Sequence, residues 1–300
     1  MRSCRICWTK MEVCCRIRHT ILRVTFCSAE SGSHFRNMYG RDAMSIVLNE
    51  YDWAEKMIQT HDLGKKPMET LSRVSKYYYE NQYSKREIRG MMDSFMLQCD
   101  PTVSLPRWSD MLDKITKDVA KYPLIKLDGV SVSKNEMKKI RELSGVQLQR
   151  FAFTILCVAK YWDAASAHNN HWVNTPDKEI MQMANVSTSI KRQSLMFSTL
   201  RDEGMIKFSR KVDNLNVQVL FMEGGAEAMH IQDFRNLGYQ YMRYYDKTGY
   251  FECANCGLTV KSQYVGEKGR PQKYCKACAV KIKTRQSVDS VMRDRYLPKS

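Results

Sequence analysis

The chain has 300 residues, long enough to bury a core without disulfide staples; 43% of them are hydrophobic, 27% are charged, and the formal net charge is +16. That composition excludes a stapled mini-protein and a disordered chain. The most continuous apolar stretch, residues 151–159, lies between Arg150 and Lys160 and falls well short of the ~18–20 residues a membrane-crossing helix needs.

Residues 1–37 carry seven basic and two acidic side chains, and residues 246–300 carry twelve and five, so both ends are more basic than the middle. Arg16, Arg18 and Arg23 interrupt the apolar positions near the start, so no secretory apolar core forms there and a reducing cytosol is expected. Cys4, Cys7, Cys14, Cys15, Cys27 and His19 crowd this segment without a standard two-knuckle metal spacing. It reads as a Cys/Arg-rich extension, with Met38 or Met44 as an alternative start.

Residues 38–145 predict a helical domain, because apolar positions recur at three and four. Ser84 and Glu87 form a capping box before Ile88, Met91, Met92 and Phe95. Trp108, Met111, Leu112, Ile115 and Val119 repeat the pattern, and Ser133 with Glu136 starts a helix carrying Met137, Ile140 and Leu143. Pro101, Pro106, Pro123 and Gly129 mark breaks. The Met and aromatic stripes read as bundle packing, and Cys99 and Cys157 as core thiols.

Gln147–Trp162 is apolar almost all round, as a helix buried on most sides would be. His168 and His171 sit in a polar loop, 166–174, with no further ligand at metal spacing, and read as solvated. Thr175, Pro176, Asp177 and Glu179 then give a helix start with Thr175 as cap. Ile180 and Met183 form its buried face, Asn185-Val186 the turn, and Ser187 or Thr188 the cap of a second helix burying Ile190, Phe197 and Leu200 and stopping at Gly204. Met205, Ile206 and Phe208 open a strand, Asp213-Asn214 turns it, and Val217, Val219 and Phe221 alternate along the return.

Residues 175–222 resemble a winged helix-turn-helix of the kind found in transcription regulators and in plasmid and phage replication proteins. The resemblance rests on the short helix, the Asn185-Val186 turn, the Ser/Thr-rich start at 187–189 and the Leu200 to Ile206 ending. It implies a second helix in the major groove, read out through Ser187, Ser189, Lys191, Arg192 and Gln193, with Lys207, Arg210 and Lys211 of the hairpin on the phosphate backbone. The bland alternative is a protein-docking module with a solvated basic face.

Cys253-x2-Cys256, eighteen residues, then Cys275-x2-Cys278 matches a two-knuckle, four-thiolate metal pattern. With Tyr250, Phe251, Leu258, Thr259, Val260 and Tyr274 as strand formers and Gly257 at the turn, residues 250–279 resemble a zinc ribbon holding one structural Zn. All four positions are filled, so no open coordination site remains for chemistry. The structural zinc of some HNH nucleases uses such a set, but residues 257–274 contain no His.

The expected architecture is therefore mainly α: an extension at 1–37, a helical domain at 38–145, a winged helix at 146–225, a helical linker at 226–249, the ribbon at 250–279 and a basic tail at 280–300. No Gly-rich phosphate loop, nucleophile elbow or carboxylate cluster points to an enzyme. The expected function is non-enzymatic binding of double-stranded DNA. The whole chain resembles accessory replication or regulatory proteins of phages and mobile elements, which implies the cytosol of a bacterial host. The alternative is an adaptor docking on a polymerase or replisome component.

Overall fold

The computed structural model describes residues 46–166, 168–209, 216–263 and 272–296, the last with side chains to 292. The extension at 1–37 lies outside the described residues, as do Arg210, Lys211 and the Asp213-Asn214 turn. Among the described residues ten helices and three small antiparallel sheets make a mainly α protein.

Four helices open it: α1 (Glu50–Thr60), α2 (Pro67–Glu80), α3 (Lys85–Cys99) and α4 (Leu105–Asp118). Local chemistry sets their starts. Asn49 accepts the amides of Tyr51 and Asp52, Pro67 is the first residue of α2, and Ser84 with Glu87 makes the expected capping box. Ala54, Leu71, Val74, Ile88, Met92, Met96 and Leu112 bury completely between them. Each large aliphatic side chain buried this way contributes roughly 1.5–3 kcal/mol. Half-buried Arg73 pairs with buried Glu50 at 2.7 Å, and the other Glu50 oxygen accepts the Ile125 amide, which ties the bundle to the chain that follows.

A second core begins with β1 (Val130–Ser133), α5 (Lys134–Glu142) and α6 (Val146–Ala165). Ser133 ends the strand and caps α5 with Glu136 in the second capping box. Glu136 is fully buried, and its charge is met by Lys160 at 2.9 Å and by the Ser133 and Glu223 amides. An uncompensated carboxylate there would cost several kcal/mol. Along α6, Phe151, Phe153, Ile155, Leu156, Cys157 and Val158 are all inaccessible, as the apolar run predicted. Cys99, by contrast, is only half-buried.

Residues 226–249, expected as a helical linker, open instead with β5 (Glu227–Ile231), which pairs antiparallel with β1, Val130 opposite Ile231. Only then comes α9 (Leu237–Tyr245), which packs on α6 through Tyr241 and Phe153. Residues 130–143 therefore share one core with 148–241, and no boundary in the packing falls at 145/146.

Between α6 and β5 lie β2 (Trp172–Val173), α7 (Asp177–Met183), α8 (Ile190–Asp202), β3 (Ile206–Phe208) and β4 (Val217–Val219). The three strands form an antiparallel sheet in the order β2-β4-β3. β2 lies within the loop expected at 166–174; two residues are too short to show a period. Pro176, with extended ψ, precedes α7, and Thr175 does not cap it; its hydroxyl accepts the Trp162 indole N–H at 2.9 Å. The α8 cap is Ser189, accepting the Arg192 amide, not Ser187 or Thr188. Ile190, expected in the core, is 81% exposed, and Met196, Phe197 and Leu200 do the burying. Gly204, at φ +70°, closes α8 in the left-handed region that favours glycine.

Candidate metal centre and exposed helix face

The strands β6 (Tyr250–Glu252) and β7 (Thr259–Lys261) pair antiparallel and carry Cys253 and Cys256 on the connecting turn; Cys275 and Cys278 sit at the start of α10 (Lys276–Tyr296). Gly257, at φ +69°, donates its amide to the Cys253 carbonyl at 2.9 Å, which folds the first knuckle. All four sulfurs lie within 4.8 Å of one another, and Cys256 Sγ is 3.9 Å from Cys275 Sγ. Tetrahedral thiolates about 2.3 Å from an ion stand roughly 3.8 Å apart, so the cluster has the dimensions to hold one metal ion.

The surroundings orient the sulfurs. The Cys275 amide donates to Cys253 Sγ at 3.2 Å, and the Asn255 side-chain amide donates to Cys278 Sγ at 3.3 Å. Burial works against ionisation of Cys253, but the backbone amides of Cys275, Asn255 and Cys256 outweigh it and lower the thiol to about 6. Burial pushes Cys256 up to about 12, with its sulfur neighbours adding to the rise, and burial also raises Cys275. Cys253 thus ionises readily, while burial favours the neutral thiol at Cys256 and Cys275 until a cation compensates the charge.

This centre is tied to the turn between α7 and α8. Arg235, paired with Asp233 at 2.7 Å, donates to the Cys256 carbonyl at 2.8 Å, and Asn236 donates to the Thr259 carbonyl at 2.9 Å. The Asn236 side-chain carbonyl accepts the Asn185 amide at 2.8 Å, and Asn185 Oδ1 in turn accepts the Tyr239 backbone N–H at 3.2 Å, capping α9 from across the interface. Asn185 and Asn236 both adopt left-handed φ. Arg150 of α6 donates to the Asn185 carbonyl and lies over the Tyr239 ring. Compared with protein-family models, curated proteins and solved structures, the chain matches none.

Of the residues expected to meet nucleic acid, Ser187, Ser189, Lys191, Arg192 and Lys207 are exposed, and Lys191 and Arg192 form no ion pair among the described residues. Arg210 and Lys211 lie outside the described residues. Gln193 is corrected: it is half-buried and donates to the Thr188 carbonyl at 3.2 Å, because it stands three, four and seven residues before Met196, Phe197 and Leu200 and so shares their side of the helix. The outward positions missed are Ile190, Ser194 and Leu195; Leu195 is 63% exposed. Leu195 had a signal in spacing, since with Lys191 it lies away from Met196, Phe197 and Leu200 on the helical wheel, whereas Ile190, seven residues before Phe197, shares the core-facing side and is exposed because it is the first residue of the helix.

His171 is not simply solvated. Its Nδ1 lies 2.5 Å from Asp163 Oδ2, and its backbone amide donates to Asp163 Oδ1 at 2.7 Å. Burial acts to raise the Asp163 carboxyl, but the His171 and Asn169 hydrogen bonds outweigh it and hold it below the usual range. Asn170 and His171 both take left-handed φ, so Asp163 pins the turn into β2. The four cysteines are the only metal-competent cluster among the described residues, and no described helix is long and apolar enough to cross a membrane.

Proposed function

We propose that the chain binds duplex DNA without catalysing a reaction, with α6, β2, α7, α8, β3 and β4 acting as a winged helix-turn-helix and the four cysteines as a zinc ribbon that braces it. The observation that carries the reading is the helix pair followed by the antiparallel strands β3 and β4, with β2 from before the pair completing the sheet on β4, and a second helix whose basic outer face the fold does not use. Lys191 and Arg192 reach phosphates or guanine edges from that face, and Lys207, with Arg210 and Lys211 of the hairpin, meets the backbone.

Zinc suits the centre because four soft thiolates at tetrahedral spacing complete its shell and leave no position for substrate. One Zn²⁺ with four thiolates brings the formal charge from +16 to +14, so the chain stays basic. The setting that fits is replication or transcription control in a phage or mobile element, in the cytosol of a bacterial host. A second reading, an adaptor for a polymerase or replisome component, is favoured by one observation: Val280, Val288, Val291 and Met292 of α10 are each about half exposed or more.

Salt dependence tests the first reading. Log affinity for duplex DNA should fall linearly with log salt, and Lys191→Ala with Arg192→Ala should reduce the slope by about two, one for each phosphate no longer neutralised. An unchanged affinity and slope in the double variant would refute the assignment of α8 to the groove.

A further inference from the structure

We propose, resting on the reading that the chain binds duplex DNA but not on the placement of α8, that α10 is a second duplex-binding element, lying along the major groove with cations against both phosphate backbones. From Lys276 to Met292 the helix carries four cations, Lys276, Lys281, Lys283 and Arg285, against one acid, Asp289. None of the four forms an ion pair among the described residues, and all but half-buried Lys281 are exposed.

At roughly 100° per residue, Lys276 and Lys283 fall on one flank of the helix and Lys281 and Arg285 on the other, about 170° away. Between the flanks Ala277, Val280, Thr284, Ser287, Val288 and Val291 fill an arc of about 100°, all of them exposed and uncharged. The fold holds α10 from the opposite side, through buried Cys278 and half-buried Ile282. A helix with its side chains is roughly 10–12 Å across and the major groove about 12 Å wide, so a strip of small side chains can face the floor while each flank meets one backbone. A second copy of α10 on this strip would set like charges against like, and a lipid surface calls for the Trp, Phe or Leu that the strip lacks. Phosphate contacts of this kind strengthen binding without selecting sequence.

The salt dependence of duplex binding by the full, zinc-loaded chain tests this. Lys281→Ala with Lys283→Ala and Arg285→Ala should reduce the slope of log affinity on log salt by about three, one for each phosphate no longer neutralised. Removing the same charge from exposed positions of α4, by Arg107→Ala, Lys114→Ala and Lys117→Ala, should leave the slope unchanged. Thr284→Trp, in the middle of the strip and without a change of charge, should weaken binding about tenfold by holding the helix off the groove floor. An unchanged slope in the α10 triple variant, an equal reduction in the α4 variant, or full affinity in Thr284→Trp overturns this proposal. Lys191→Ala with Arg192→Ala reports on α8 separately: a slope lowered there and not in the α10 variant removes α10 alone, and the reverse removes α8 alone. Failure to bind any duplex at low salt overturns both.

Discussion

Gly238, in the first turn of α9, stands where no side chain fits: a Cβ there would lie 1.9 Å from the Ala184 carbonyl oxygen. The clash is with backbone at the end of α7, so it cannot be relieved by rotating a neighbour. Gly238→Ala should destabilise the fold by about 3 kcal/mol, the upper end for an overpacked site, which outweighs the ~1 kcal/mol that alanine gains over glycine in a helix. Gly90 is the control, since a Cβ in the middle of α3 meets nothing within 4 Å. Gly90→Ala should stabilise by up to ~1 kcal/mol. Urea midpoints that move together in the two variants would contradict this reading of the α7–α9 approach. The close approach places the Asn185–Asn236 pair, and no pattern in the sequence announced it. The interaction joins side chains fifty-one residues apart, each in left-handed backbone. Ser84 with Glu87 and Ser133 with Glu136 were legible for the opposite reason, because a capping box is complete within four residues.

At the scale of elements, the cysteine hairpin was legible because metal ligation imposes a fixed spacing, and the fold gathers all four sulfurs that the spacing singled out. The β1–β5 pair was not legible. Its strands are four and five residues long and nearly a hundred residues apart, so no local period reveals their register. α8 was legible as a helix but misplaced by its cap. Starting it before Ser189 hid that Ile190 is the first helical residue, at the open end of the side it shares with Phe197, and Gln193 was assigned to the surface although it stands four residues before Phe197 and seven before Leu200; the structure reverses both. Metal should matter most to α10, a 21-residue helix that begins at two of the cysteines and exposes nearly all of its described length. Such a helix is marginal in water without an anchor. Purified protein should hold one zinc ion per chain, and Cys275→Ser should lose it together with helical circular dichroism equivalent to much of α10. A metal-free chain with unchanged helix content would refute the structural role of the centre.

Across the whole molecule the charge and the packing lead to the same place. Most of the surplus positive charge lies in the first 37 and last 55 residues, which leaves +4 on residues 38–245. The folded middle thus depends on where its cations stand, and Lys191 and Arg192 stand, without an ion pair among the described residues, on a helix face the cores do not cover. The hydrogen bonds from Thr259 through Asn236 and Asn185 connect the cysteine hairpin to the turn before this helix, so a metal ion held by the four cysteines would brace the face that the proposed function turns toward DNA. The measurement that tests duplex recognition most directly is selection from a random duplex library by the full, zinc-loaded chain. A shared sequence motif should be enriched, and Lys191→Ala with Arg192→Ala should abolish the enrichment. A pool indistinguishable from the input, or the same motif recovered by the double variant, would contradict recognition of DNA through α8.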